Sequence, residues 1–264
     1  MTELRIFSYL PNPRLAKATI AARLCGVTLE IRGASPRELG EWLWDFEARP
    51  LAESDRGAAT ARAARTGFGG TLHKTDAFLE AHPFGTVPAA FSPDGKTGIF
   101  ESNSILRAVA RLASNGVTLY GKDPYEASRI DSFLDASLVF ARDAQLYLLA
   151  LGAGKLDAAT HERARAARDA YLSGIDQALA PARSFLVGNA LSIADIGFAA
   201  EWALFKGERV NTARLAEHSF APLSGPDQAG RFPRALAHFA KLRAHPAFAP
   251  ELEPYLAKVE AAAR

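Results

Sequence analysis

The spacing of apolar and polar positions changes near residue 120 of this chain. Before that point, "LRIFSYL" at 4–10 and "VTLEIRG" at 27–33 have the composition of strands. The segment between them, "PNPRLAKATIAARLCG", repeats its apolar residues at helical spacing and ends at Gly26, a residue typical of helix C-caps. The order strand, helix, strand predicts that the two strands lie parallel in one sheet.

Two more strands are predicted at 88–101, where "PAAFSPDGKTGIFE" contains the Pro-Asp-Gly turn of a hairpin. A helix is predicted to follow from Ser102. The resulting order, β-α-β, a connecting segment and then β-β-α, is that of a thioredoxin-like α/β domain. We assign this domain to residues 1–115.

The strand patterns stop after about residue 120, and helical patterns follow one another to the end of the chain. The first of these helices begins with Asp123 as N-cap, Pro124 in the first turn and Glu126 in the position of a capping box. We therefore predict an all-α domain over 122–264.

The connecting segment at 34–81 is long for such a domain, and we treat it as an insertion. Ser35 and Glu38 fit a capping box, which predicts a helix that carries Trp42, Leu43 and Phe46. A second, basic and alanine-rich helix is predicted in "ESDRGAATARAARTG". An ordered insertion of this size is often a lid or an interface, and the alternative is a solvated elaboration of the fold.

Composition narrows the class of protein. The chain has 264 residues, is 48% apolar and has a formal net charge of +2, with no basic run interleaved with aromatics, so nucleic acid is not an expected partner. Cys25 is the single cysteine, which favours a reducing compartment. No signal peptide and no long apolar stretch are visible, so we expect a soluble, cytoplasmic protein without a membrane partner. The histidines lack metal-ligand spacing, so no metal site is expected.

Candidate chemistry lies at the two ends of the predicted hairpin. A cis bond before Pro88 would turn the backbone of Val87 outward, where an extended peptide can bind as an added strand. Ser102 at a helix N-terminus offers a hydroxyl and the positive end of the helix dipole to a carboxylate, and Glu101 offers a negative charge to an ammonium group. The γ-glutamyl end of glutathione carries all three features. The alternative interpretation is a plain turn followed by an ordinary helix cap.

Three motifs together resemble the glutathione transferase family over nearly the whole chain: "HPFGTVPAAF", "FESNSILRAVARL" and "GNALSIADIGFAAEW". The resemblance implies a thioredoxin-like domain that binds glutathione, an all-α domain and a dimer, with a homodimer favoured over a heterodimer. It also implies that the last motif is structural. There, Ser192 caps a buried helix and Asp195 closes the capping box.

Catalysis in that family means raising the thiolate fraction of glutathione with a hydrogen-bond donor between the first strand and the first helix. Here that segment reads "SYLPNPRLAK". Asn12 is the first candidate, because it fits the N-cap position and places its amide near the positive end of the helix. Ser8 and Tyr9 remain open as alternatives. A plain N-cap role explains Asn12 without catalysis.

The resemblance also implies the remaining contacts. The residues expected to bind glutathione are Arg14, Phe84, Thr86, Val87, Pro88, Glu101 and Ser102. A pocket for the second substrate would lie between the domains and be lined by residues that share one helix face, namely Phe133, Ser137, Phe140 and Tyr147. An aromatic stripe at this spacing is more often core than pocket.

The expected activity is attack of the glutathione thiolate on a hydrophobic, aromatic electrophile, in detoxification or aromatic compound metabolism, with aryl ether cleavage as one variant. The alternative is a non-catalytic binding module. "NPRLAKATIAARLCG" and "GTVPAAFSPDGKTGIFESNSI" also resemble the transferase-like domain of the elongation factor gamma subunit, which acts as an assembly scaffold. The insertion at 34–81 departs from both groups.

Overall fold

The computed structural model describes residues 2–64, 67–181 and 183–262. Its chain divides into two compact units, with the boundary between Val117 and Thr118. The first unit contains two sheets and the second is helical. The α/β class predicted for the first part and the all-α class predicted for the second are both confirmed.

The first sheet has the predicted thioredoxin-like order. Strand β1 (Leu4–Phe7) pairs in parallel with β2 (Leu29–Arg32), and helix α1 (Pro13–Cys25) connects them. Strands β7 (Ala89–Phe91) and β8 (Gly98–Ile99) form the predicted hairpin, and the sheet order is β2-β1-β7-β8. Because β7 runs antiparallel to β1 at its side, the residues that precede β7 lie near the carboxyl end of β1.

At two glycines of this unit the backbone lies so close to another group that a side chain would not fit. A Cβ on Gly33 would lie 1.7 Å from the carbonyl oxygen of Ser8, so that only glycine fits there. Gly95 in the hairpin turn has a φ of +74°, and a Cβ there would lie 2.8 Å from the ring of Phe46. The first contact packs the end of β2 directly against the segment that leads into α1.

The insertion differs from its prediction. Both helices predicted there are wrong. One contact of the predicted capping box is present, since the backbone N–H of Ser35 donates to Oε2 of Glu38 at 3.0 Å, but only a 3₁₀ turn follows at Glu38–Glu41. Trp42 and Leu43 then enter a strand. Within the second predicted helix, the structure has a short 3₁₀ turn and a strand, and Arg65 and Thr66 lie outside the described residues.

In the described ranges, the insertion forms a second sheet of four strands, namely β3 (Trp42–Trp44), β4 (Arg49–Pro50), β5 (Ala61–Ala63) and β6 (Thr71–Lys74). The sheet order is β4-β3-β6-β5, and helix α2 (Asp76–Ala81) follows β6 along the chain. Tryptophan favours a half-buried pleated surface, and β3 has two of them. Pairing between β3 and β6 is parallel and joins Leu43 to His73, thirty positions along the chain.

The two sheets share one apolar core, here called the shared core. Its buried members come from both sheets, from α2 and from the turns next to β3, namely Phe7, Leu39, Trp44, Ala48, Leu72, Phe78, Ala89 and Phe91. The rings of Phe7 and Trp44 meet edge to face with centroids 5.3 Å apart, a favoured geometry for aromatic pairs. The insertion is thus part of the packing of the first sheet.

Helix α3 (Ser102–Arg111) follows β8 and completes the first unit. The second unit begins with α4 (Pro124–Gly152), for which Asp123 is the N-cap as predicted. Its other helices are α5 (Ala158–Ala178), α6 (Ile193–Phe205), α7 (Thr212–Glu217), α8 (Gln228–Arg231), α9 (Pro233–Arg243) and α10 (Ala249–Ala262). Along the described residues, no helix combines the length and apolarity that a membrane span requires.

The start of α6 carries the predicted capping box. The Ser192 backbone N–H donates to Oδ2 of Asp195 at 2.9 Å, and the Ser192 hydroxyl accepts from the first turn. Asp195 also accepts from the backbone N–H of Leu186 at 3.0 Å and lies 2.8 Å from Nε2 of His238. Asp195 is fully buried, and its hydrogen bonds tie three segments of the helical unit together.

Candidate functional site

The start of α3 has an unusual backbone. Glu101 is its N-cap residue, yet its side chain makes no capping hydrogen bond, and its φ is +66° with ψ at 123°. A non-glycine residue in this region is strained, and such residues cluster at functional sites. The side chain of Glu101 is exposed, whereas Ser102, the first helical residue, is buried.

Ser102 does not cap its own helix. Its Oγ accepts a hydrogen bond from Nζ of Lys17 at 3.0 Å, and the same ammonium group donates to Oδ1 of Asn103 at 2.7 Å. Lys17 belongs to α1 and is fully buried. The first turn of α3 is therefore held by a positive side chain that comes from the neighbouring helix.

The turn before β7 has the predicted cis bond between Val87 and Pro88. Val87 is half-buried and packs against the shared core, and Pro88 is buried. Thr86 is exposed. Phe84 is 67% exposed, with its ring 5.2 Å from that of Phe100. Phe84 and Thr86 are thus accessible at this turn, while Val87 and Pro88 lie deeper.

Two buried side chains support this turn from below. Nδ1 of His82 accepts from the backbone N–H of Gly85 at 3.2 Å, and Nζ of Lys74 donates to the carbonyl oxygen of Gly85 at 2.6 Å. His82 is fully buried between the rings of Phe78 and Phe100. Burial, together with the nearby Lys74 ammonium, lowers the pKa of His82 to about 4, so the imidazole is neutral at ordinary pH.

The three candidate thiol donors lie where β1 leads into α1. Asn12 is the N-cap of α1, and its Oδ1 accepts from the backbone N–H of Arg14 at 2.9 Å. Its Nδ2 donates to Oγ of Ser8 at 3.0 Å. Asn12 is 5% exposed and Ser8 is fully buried, while Tyr9 is half-buried against the shared core. The structure thus couples Asn12 to Ser8 through a direct hydrogen bond.

Helix α1 links these donors to the start of α3. Asn12 caps the helix, and Lys17 lies five positions further along. Since Lys17 contacts Ser102, the proposed anchor and the proposed thiol donors are held by one rigid element. Cys25, at the far end of the same helix, is buried, and burial raises the pKa of its thiol, as expected for a packing residue.

The four residues predicted for the second-substrate pocket separate in the helical unit. Ser137, Phe140 and Tyr147 are at most 2% exposed. The Phe140 ring stacks on Tyr171 with centroids 4.7 Å apart, as core side chains do. Phe133 instead lines a groove of about 530 Å³ between α4 and α5, beneath the guanidinium of Arg129.

Tyr147 contributes to the packing of the helical unit through its hydroxyl. That group donates to Oε2 of the fully buried Glu208 at 2.7 Å, and burial together with the Glu208 carboxylate raises the pKa of the phenol. Phe140 and Tyr147 are both buried on α4, as a shared helix face predicts, but that face packs in the core of the helical unit. The described residues hold no group of three or more His, Cys, Asp or Glu side chains that could bind a metal ion.

Sequence reasoning missed Lys17 as a member of the site. A signal was present, since Lys17 interrupts an otherwise apolar and small-residue stretch between Leu15 and Ala22. A lysine in that setting has to be either on a solvent face or buried with acceptors. It also missed the buried role of Lys74, which lies in β6 and donates to the carbonyl oxygen of Gly85.

Comparison with known proteins gives two kinds of relative. No family model matches the sequence. Elongation factor 1-gamma 3 of Oryza sativa is 33% identical over 129 residues, which are 48% of this chain and 30% of that protein. Glutathione S-transferase-like protein FUS3 of Gibberella moniliformis is 26% identical over 193 residues, 72% of each chain. The matched segments span only 28% to 36% of the first elongation factor relatives.

Solved structures agree over a longer stretch. Glutathione S-transferase isozyme E7 of Drosophila melanogaster has a TM-score of 0.66 at 15% identity, with 99% of this chain and 96% of that chain covered. A glutathione transferase family member of Pseudomonas fluorescens, with two glutathione bound, has a TM-score of 0.65 at 19% identity, covering 95% and 92%. The chain has the glutathione transferase fold, and its predicted resemblance to that family and to the elongation factor gamma subunit is confirmed.

Proposed function

We propose that this chain is a glutathione transferase that holds the γ-glutamyl end of glutathione at Glu101 and Ser102. The observation that carries the proposal is the start of α3. There the exposed carboxylate of Glu101, whose backbone is strained, precedes the buried hydroxyl of Ser102 at the helix N-terminus. An α-amino acid head group has one ammonium and one carboxylate on the same carbon. The carboxylate is stabilised by Ser102 and the helix dipole, and the ammonium by Glu101.

The turn before β7 supports the same ligand. The backbone of an extended peptide pairs with main-chain groups that the sheet leaves unpaired, and Val87 lies two residues before β7, outside the part of that strand that pairs with β1 and β8. The cysteinyl backbone of glutathione fits this position, with Phe84, Thr86 and Pro88 around it and Arg14 on the α1 side. Lys74 and His82 keep the turn in place through Gly85.

Calorimetric titration with glutathione tests the anchor. Glu101→Gln combined with Ser102→Ala removes both head-group contacts, and binding is expected to weaken by roughly 2 to 5 kcal/mol. Asp157→Asn is the matched control, because it removes one exposed carboxylate at the start of a different helix and keeps its capping oxygen. Unchanged affinity in the folded double variant contradicts the assignment.

We further propose that Asn12 lowers the pKa of the bound thiol. An amide NH2 has two donors, of which Ser8 accepts one, and the other is proposed to donate to the sulfur. One donor to a charged sulfur contributes roughly 1.5 to 3 kcal/mol, which lowers the thiol pKa by about one to two units. Ser8 and Tyr9 remain the alternative donors.

A pH titration of thiolate absorbance in the glutathione complex tests this step. Asn12→Ala is expected to raise the thiol pKa by about one to two units and to lower turnover by a similar power of ten. Asn12→Ser keeps a capping hydroxyl and a donor, so that it is expected to restore part of the shift. A shift only in Ser8→Ala or Tyr9→Phe reassigns the role to that residue.

The proposed second substrate is a hydrophobic, aromatic electrophile, and aryl ether cleavage is one reaction of this class. Of the four predicted pocket residues, Phe133 supports it, since its ring is accessible in a groove. Turnover of chlorinated nitroaromatics and of aryl ethers with glutathione measures both forms of the reaction. The proposed assembly is a homodimer in the cytoplasm, with a heterodimer as the alternative, and sedimentation equilibrium reports the subunit number.

A non-catalytic binding module is the second candidate. It is favoured by the mutual burial of Asn12 and Ser8, whose hydrogen bond to each other also explains both residues without a sulfur. Similarity to elongation factor gamma proteins points the same way. Absence of turnover on a broad electrophile panel, with the thiol pKa of bound glutathione unshifted, would establish this candidate over the enzyme.

A further inference from the structure

Lys17 is the most deeply buried ammonium group beside the proposed anchor. Lys17 lies within α1 and is 0% exposed, and the residues on either side of it, Ala16 and Ala18, are buried as well. Lysine is almost never fully buried unless acceptors surround its charge, because desolvation of an ammonium is costly. Two of its acceptors are the first two side chains of α3, Ser102 and Asn103.

The direction of these hydrogen bonds determines what Ser102 can do. An ammonium group only donates, so Oγ of Ser102 acts as acceptor toward Lys17. The hydroxyl hydrogen then points away from Lys17, and Ser102 serves as a donor toward another group. A hydroxyl that accepts from a charged donor is itself a stronger donor, since linked hydrogen bonds polarise one another.

The charge of Lys17 has the same sign as the helix end that it touches. The N-terminus of α3 carries the positive end of the helix dipole, and the ammonium lies 3.0 Å from the hydroxyl of its first residue. Both features disfavour a cation at Ser102 and favour an anion. The carboxylate of Glu101, one residue before, favours a cation instead. The two residues therefore favour one orientation of an amino acid head group, with its carboxylate at Ser102 and its ammonium at Glu101.

We propose that Lys17 is a positioning residue for the α-carboxylate of the γ-glutamyl group. It acts through Ser102, by fixing the hydroxyl as a donor and by adding a buried positive charge behind it. The inference rests on the proposed function, because it assumes that the head group of glutathione binds at the start of α3. It adds a specificity: ligands that lack this carboxylate gain nothing from Lys17.

The test compares two ligands in calorimetry, glutathione and its analogue in which 4-aminobutanoyl replaces γ-glutamyl and the α-carboxylate is absent. Lys17→Met keeps an unbranched side chain of similar length. The substitution is expected to weaken the binding of glutathione roughly 10- to 100-fold and the binding of the analogue less than about 3-fold. Arg23→Met, which removes a positive charge from the exposed last turn of the same helix, is expected to change neither.

The outcomes separate the inference from the proposed function. If wild-type protein prefers glutathione over the analogue but Lys17→Met retains that preference, the inference is overturned and the proposed function stands. Equal weakening of both ligands shows a structural role and also overturns it. If the wild-type protein binds neither ligand, the proposed function fails, and the inference fails with it.

A measurement on the wild-type protein keeps the inference testable if Lys17→Met does not fold. Salt screens exposed charges strongly and buried ones weakly. The ratio of the glutathione affinity to the analogue affinity is therefore expected to change less than about 2-fold between roughly 50 mM and 500 mM sodium chloride. A ratio that falls toward one at high salt assigns the preference to exposed charges and overturns the role of Lys17.

Discussion

Two helix starts in this protein combine a serine with an acid and use the pair in opposite ways. At α6, Ser192 and Asp195 satisfy the helix end, and the carboxylate also accepts from Leu186 and contacts His238. At α3, Glu101 makes no capping hydrogen bond and its backbone is strained, while Ser102 is turned toward a lysine of another helix.

The difference separates a structural cap from a proposed binding site. The acid of α6 is fully buried, with every contact named above inside the helical unit. The acid of α3 is exposed, and its strained backbone is not accompanied by a capping hydrogen bond from its side chain. Strain that the fold does not need is expected where a ligand uses it. Three experiments test this contrast.

The largest effect is expected at Asp195. Asp195→Ala leaves the backbone N–H groups of Leu186 and Ser192 and the ring of His238 without their acceptor, in a fully buried setting. We expect a loss of about 3 to 5 kcal/mol in the free energy of unfolding, measured by urea denaturation. Glutathione affinity of the fraction that remains folded is expected to stay unchanged. A change in that affinity would break the contrast between the two helix starts.

A smaller effect of about 2 kcal/mol is expected from pH at His82. Its pKa is about 4 in the folded protein and about 6.5 in an unfolded chain, so the unfolded state takes up the proton first as pH falls. The stability from neutral His82 is complete above pH 6.5 and is lost progressively down to pH 4. Urea denaturation at pH 7.5 and pH 5 measures it.

His82→Asn is the control for this pH effect. Asparagine retains an acceptor for the backbone N–H of Gly85 and does not titrate, so the difference between the two pH values is expected to shrink by about 2 kcal/mol. An equal loss in the wild type and the variant would assign the pH dependence to other groups. The result sharpens the contrast, because it tells whether the turn beside the proposed site is also held by buried polar contacts.

The smallest effect is expected at Glu101. Glu101→Gly relieves the positive φ and is expected to stabilise the fold by about 1 kcal/mol, while glutathione binding weakens. Glu101→Gln keeps the strain and removes the charge, so it is expected to weaken binding with little change in stability. Opposite movement of stability and affinity in the glycine variant identifies strain retained for a ligand. Loss of both would make Glu101 an ordinary structural residue.

Local patterns were sufficient to predict the parts of the fold whose partners are close in the chain. The β-α-β unit, the hairpin with its Pro-Asp-Gly turn and the cap of α4 all follow from residues within one or two elements of each other. The second sheet could not be predicted in this way. β3 is three residues long, and its parallel partner β6 lies some thirty positions away, so no local spacing reports the pair.

The proposed site divides in the same manner. Glu101 and Ser102 stand out locally, because an acid and a hydroxyl precede an apolar helical run. The contact with Lys17 joins residues 85 positions apart, and lysine on a helix is normally a surface residue. The inward direction of Ser137, Phe140 and Tyr147 likewise depends on which helices pack against α4. Helical spacing gives a shared face but does not say what covers it.

The shared core has an evolutionary consequence for the segment at 34–81. A surface loop can be gained or lost between relatives because no side chains of the core depend on it. Here Trp44 and Phe78 cover Phe7 and Phe91 of the first sheet, so that deletion of the segment would leave those rings facing water. A relative with a shorter chain has to fill the same face with other side chains. The segment and the strands beneath it are therefore expected to change together along a lineage, as one inherited unit.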